Sequence, residues 1–168
     1  MPYIFRKIRQ SRWLERDFLW LEHNEIPSDP LADFTTKQGA LSIYVLTNSE
    51  TETITRVAAA IASTSSSLSN LDYVVIEVEE LDQFDFMIES KPATTPDDDV
   101  NNMHYDIINL SAQKLVSLTK LFWNNFSQEN FGRIPEQIIL EQIIFGISQG
   151  YMNKQKIKIK SRKLLDHI

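Results

Sequence analysis

The sequence predicts a single α/β or α+β domain: a mixed sheet of about five strands with one parallel βαβ unit, covered by about three helices. Three observations carry this. Apolar, partly β-branched runs of strand length alternate with segments of helical period. The chain has 168 residues, 42% hydrophobic and 24% charged, and at that size roughly 68–70% of the unfolded surface is buried, enough for one core without staples. Neither an internal repeat nor a Pro/Gly-rich linker interrupts it, so residues 1–168 read as one globular domain.

Taken in order, Pro2 to Arg9 alternates loosely, as a strand does. Trp13 to Leu21 suits a helix, and Asp29-Pro30 opens a short helix that Gly39 would end. Ala40 to Thr47 (ALSIYVLT) has the character of a buried strand. Ser49-Glu50-Thr51-Glu52 then has capping-box spacing, a hydroxyl followed three residues later by a carboxylate. Ile54, Val57, Ala58 and Ile61 recur at i, i+3, i+4, i+7, a narrow apolar stripe on a helix. The polar stretch Ser63 to Asn70 leads into a second strand, Tyr73 to Val78. Strand, helix and strand of these lengths predict a βαβ unit with parallel strands and a right-handed crossover.

The second half is built similarly. Phe84 to Glu89 is a weaker strand, Lys91 to Asn102 a loop with two prolines and three consecutive aspartates, and Met103 to Leu110 a strand. Ser111 caps a helix in which Leu115, Leu118, Phe122 and Phe126 share a face with Trp123. Pro135 suits the first position of a helix and Gly150 its stop, so residues 135–149 form a last long helix. Its Ile138, Ile139, Leu140, Ile143, Ile144, Phe145 and Ile147 surround most of the circumference. Such a helix is buried on several sides, centrally in the domain or between subunits. Lys156, Lys158 and Lys160 alternate with Ile157 and Ile159, a strand whose lysine face guards an edge.

Composition removes several chemistries. With no cysteine there is no thiol nucleophile, CxxC redox pair, Cys-ligated zinc or disulfide. Basic residues interrupt Met1 to Leu14 before any signal-peptide core forms, and no run approaches 18 consecutive apolar residues. The expectation is a cytoplasmic protein without a membrane partner. Glycines stand only at 39, 132, 146 and 150, so neither G-x-G-x-x-G nor G-x-x-x-x-G-K-[ST] exists, and no cofactor is predicted.

The net charge of −6 conceals its distribution. Residues 1–16 carry five basic side chains against one acidic, residues 154–168 six against one, and the 17–153 body six against 21. An acidic body between two basic ends argues against general nucleic-acid backbone binding.

Three constellations stand out. Gly146-Ile147-Ser148-Gln149-Gly150 matches the G-x-S-x-G of serine hydrolases, but that motif needs a strand-to-helix elbow. Here it ends a predicted helix, with Gly150 as the cap. Asp97, Asp98 and Asp99 precede His104 and Asp106, and on a strand His104 and Asp106 share a face. A carboxylate beside an imidazole suits acid–base work, and the same atoms could hold a divalent metal. The bland alternative is a solvated acidic loop with a structural histidine. Arg6, Lys7, Arg9, Arg12 and Arg16 interleave with Tyr3, Phe5, Trp13, Phe18 and Trp20, the pairing of charge and stacking that single-stranded nucleic acid needs. Its alternative is aromatics in the core and arginines on acidic groups of the body.

The leading expectation is a non-catalytic interaction or regulatory module that oligomerises or binds a protein partner. Its contacts would come from Arg6, Arg9, Arg12, Lys156, Lys158 and Lys160 at the ends, and from Ile139, Ile143 and Phe145 on the last helix. The rival is a small metal-dependent or acid–base enzyme, with His104 and Asp106 catalytic and Asp97, Asp98, Asp99 and His104 as metal ligands. Single-stranded nucleic-acid binding through the N-terminus is third.

Overall fold

The structure, a computed structural model, describes residues 1–13, 25–125 and 130–160. Six strands form one sheet: β1 (Tyr3–Ile8), β2 (Leu41–Leu46), β3 (Leu71–Glu77), β4 (Met87–Ser90), β5 (His104–Ile108) and β6 (Phe131–Ile134). Five helices accompany it: α1 (Ser28–Leu31), α2 (Thr51–Ala62), α3 (Asp98–Asn102), α4 (Ala112–Asn124) and α5 (Glu136–Ser148). The strand order is β4-β5-β2-β1-β3-β6, and every pairing is antiparallel. This corrects the expected five strands and parallel pair; among the described residues the three longer helices, α2, α4 and α5, are those expected, with the short α1 and α3 besides.

The reason lies in β1. Ile4, Phe5 and Ile8 are all buried, so this strand presents apolar side chains to both faces of the sheet and belongs at its centre. It inserts between β2 and β3, pairing Tyr3 with Leu46 on one side and with Glu77 on the other. Strands β2 and β3 still run in the same direction, with α2 crossing between them, but they are neighbours of β1 rather than of each other. The strand–helix–strand pattern is real; its two strands are split by a third.

Alternation along the strands sends side chains into two cores. Phe5, Leu46, Leu71 and Val75 pack with Ile54, Val57 and Ala58 of α2 and with Ile139, Leu140 and Ile143 of α5. Ile4, Ile8, Leu41, Ile43, Val74 and Ile76 pack on the opposite face with Leu118, Leu121 and Phe122 of α4 and with Phe34 and Trp13. Helices therefore cover both faces of the sheet. No helix among the described residues is long and apolar enough to cross a membrane.

Local expectations fared unevenly. Ser111 caps α4 through its Oγ, which accepts from the Lys114 N–H at 3.2 Å. Pro135 stands one position earlier than expected, at the N-cap of α5, and Gly150 follows the helix at φ +80°. The Ser49 capping box does not form: Glu50 is the N-cap of α2 and makes no side-chain cap bond, while Asn48 Oδ1 takes the Glu50 N–H. Gly39 does not end α1, which stops at Leu31. With Gln38 it forms a positive-φ turn closed by Lys37 and Ala40. Residues 156–160 join no sheet. Instead the Lys158 and Lys160 N–H groups donate to the Ser63 and Ser66 carbonyls, and Ile159 enters the core. The helix expected from Trp13 to Leu21, apart from Trp13 itself, lies outside the described residues, as does Phe126.

Candidate functional site: an acidic, tyrosine-lined cleft

The acidic and histidine residues between 97 and 106 are drawn into two separate structural networks. Asp97 is fully buried and caps α3, accepting from the Asp99 and Val100 N–H groups. Arg56 of α2 grips it side-on, with Nε to Oδ2 at 2.7 Å and Nη2 to Oδ1 at 3.0 Å, and reaches Asp99 at 2.7 Å. The same guanidinium lies 4.4 Å over the Tyr151 ring, and the hydrogen bonds it donates to Asp97 and Asp99 outweigh burial and raise its pKa. Asp98 pairs with Lys156 at 2.9 Å, which holds its carboxyl below the usual range.

Asp106 accepts from Lys91 Nζ at 2.7 Å and Ser42 Oγ at 2.9 Å. Burial opposes its ionisation, yet these two bonds and the charges of Lys91 and His104 leave its pKa lowered. His104 and Asp106 do lie near each other on β5, and His104 Nδ1 meets the Lys91 carbonyl. Asp97 and Asp99 are instead bound to α2. Among the described residues no three His, Asp or Glu side chains are placed to hold a metal ion.

Among the described residues, Arg6 and Arg12 of the basic N-terminal stretch and Lys156 of the C-terminal one meet groups of the body. Arg6 fills the gap where β1 and β2 part, donating from Nη1 to the Ser42 carbonyl at 2.6 Å and from Nη2 to the Asp33 carbonyl at 2.7 Å. Burial lowers its pKa, against the pull of Asp33 and Tyr44. Arg12 pairs with Asp33 at 2.6 Å, and the Arg9 N–H also donates to that carboxylate. Trp13 is buried, as the core reading of the N-terminal aromatics expects. Arg9, Lys158 and Lys160 have exposed side chains. On α5, Ile139 and Ile143 are wholly buried against their own domain, whereas Ile138 and Phe145 are 42% and 50% exposed. Gly146 is needed because Tyr151 and Met152 pack where its Cβ would stand, and Ser148 only donates back to the Phe145 carbonyl. The G-x-S-x-G pattern is a helix end.

A site that the sequence did not announce lies at the other end of β1. The register that pairs Tyr3 with Glu77 sets Tyr3, Tyr73, Val75 and Glu77 on the α2-facing side of β1 and β3. Ser49, Thr51 and Ile54 descend from the start of α2, Glu80 comes from the short turn after β3, and Asn125 and Asn130 flank it. Together they enclose a cleft of about 480 Å³, within the range of ligand sites. Tyr73 stacks on Phe5 with centroids 5.4 Å apart, and burial raises its phenol pKa. Glu77 and Glu80 are half-buried, and Glu80 accepts from Gln83 at 3.0 Å. No lysine or arginine lines the cleft among the described residues.

Comparison with known proteins returns no matching family model, no matching curated protein and no matching solved structure. The site therefore has to be read from its own chemistry. Two carboxylates, two phenols, two amides and two hydroxyls offer hydrogen bonds and negative charge beside aromatic rings, the set that receives an ammonium or guanidinium group. Sequence reading missed it because Tyr3 and Glu77 become neighbours only through strand pairing. The one local signal was the run Glu77, Glu79, Glu80 closing an apolar strand.

Proposed function

We propose that this protein is a non-catalytic, cytoplasmic interaction module that binds a basic segment of a partner protein in the Tyr3–Tyr73–Glu77 cleft. The observation that carries this reading is a concave site with two half-buried carboxylates and two tyrosines, lined by no cation among the described residues. A lysine or arginine entering it gains charge pairing and an aromatic face together, in a setting less screened than open surface. The test is a titration of the protein with a lysine-rich synthetic peptide at low and at raised salt. Saturable binding that salt weakens, and that Glu77→Gln reduces about tenfold, is expected. Binding that Glu77→Gln leaves unchanged, or none at low salt, would sink the reading.

A second reading, self-association through α5, is favoured by Ile138 and Phe145, two large apolar side chains exposed two turns apart on one helix face. Light scattering of wild type against Phe145→Asp decides it. A dimer that the substitution disperses supports this reading, and a wild-type monomer ends it.

A further inference from the structure

Strand β4 ends the sheet on the side away from β6, within the continuous described stretch 25–125, and no described residue pairs with its outer edge. All four of its residues are exposed, among them two large apolar ones, Met87 at 53% and Ile88 at 39%. Met87 pairs with Ile108 and Ile88 with Ile107, and Ile107 is buried in the α4-side core. Ile88 therefore leans to the α4 side of the sheet and Met87 to the α2 side. With an apolar group uncovered on each face, the bare surface is the edge itself. An added strand is the element that covers both faces at once.

The main chain limits what can be added. The Lys91 N–H donates to the His104 carbonyl at 3.2 Å, so Lys91, Glu89 and Met87 turn their main-chain groups toward β5. Ile88 and Ser90 turn theirs outward. A second copy of the strand, antiparallel about a two-fold axis, matches these outward groups in three registers only. Centred on Ser90, the pairing runs out at once: Pro92 has no N–H, and the Ala93 N–H turns away to the Asn101 carbonyl. Centred on Glu89, it sets two like carboxylates directly opposite each other. Centred on Ile88, it joins Ile88 to Ile88 of the second copy by two bonds and offers the Ser90 N–H to the Phe86 carbonyl. That register also lays Met87 against the stem of Glu89. Charge names the occupant: Asp85, whose side chain is 99% exposed, and Lys91 flank Ile88 at equal spacing, so a two-fold axis there brings each level with the other across the copies. We infer that two copies of this chain join edge to edge through β4, centred on Ile88, into one continuous sheet.

The pairing lies apart from the cleft and stands or falls independently of it. Because the chain has no cysteine, single substitutions read the register directly. Ile88→Cys, Glu89→Cys, Ser90→Cys and Phe145→Cys are each oxidised with diamide in the full chain, and the disulfide-linked dimer is followed on a gel. Residues facing each other across a hydrogen-bonded pair stand about 5.5 Å apart between Cα atoms, within disulfide reach, whereas like residues one step off the axis stand about 8 Å apart. Ile88→Cys should crosslink about tenfold faster than the other three variants. Sedimentation equilibrium of the unsubstituted chain should show a dimer that Ile88→Lys disperses and Phe145→Asp does not. Fastest crosslinking at Glu89→Cys or Ser90→Cys overturns the register, and fastest crosslinking at Phe145→Cys overturns the pairing in favour of contact through α5. A chain that is monomeric at every concentration overturns it outright.

Discussion

The most constrained side chains are the buried ions, and each was invisible in the sequence for the same reason. Arg56 lies off the apolar stripe of its helix and Asp97 in an apparently solvated acidic loop; nothing local says that they meet. Arg56→Met should cost about 2 to 3 kcal/mol, read as a lower urea midpoint. That is under the cost of breaking a fully buried pair, because Arg56 is partly exposed and Asp97 keeps two N–H donors. Tyr44 offers a test from the alkaline side. Burial, against the lowering effect of Arg6, pushes its phenol up to about 12, whereas the unfolded chain releases that proton near pH 10. The folded pKa is the raised one, so its contribution is complete below about pH 10 and is lost as pH rises toward 12. Denaturant titrations across that window should show wild type losing about 2 kcal/mol more than Tyr44→Phe.

At the level of elements, periodicity located most helices and strands, because a stripe or an alternation is the imprint of one buried face. The centre of the sheet was the failure. Strand β1 is covered on both faces, so its alternation is blurred, and nothing local shows that it parts β2 from β3. The start of α2 failed differently. Capping-box spacing was present, but the chain begins the helix one residue later, leaving Glu50 at a position whose extended φ and ψ suit a cap that its side chain does not make. Glu50→Ser should therefore stabilise the protein by about 0.5 to 1 kcal/mol, seen as a higher urea midpoint at unchanged slope.

For the molecule as a whole, charge was legible and its use was not. The division into acidic body and basic ends was correct as arithmetic, but Arg6 and Arg12 are spent on Asp33 and the Ser42 carbonyl rather than displayed. The predicted interaction set divides the same way: Arg6, Arg12, Ile139 and Ile143 hold the domain together and Lys156 pairs with Asp98 at the surface, while Arg9, Lys158, Lys160 and Phe145 face outward. The cleft depends on a register joining residues about seventy positions apart, which no window of sequence spans.

That register also dictates the order of assembly. Strand β1 is made before β2 and β3, yet it sits between them and makes its longest pairing with β3. The growing chain must hold an apolar, two-faced strand unpaired on that side until β3 has been made, and closing so long a loop is slow. The first eight residues act as the keystone of the sheet. In their absence no strand pairing among the described residues would join β2-β5-β4 to β3-β6, and the same short strand supplied as a free peptide would have a waiting slot.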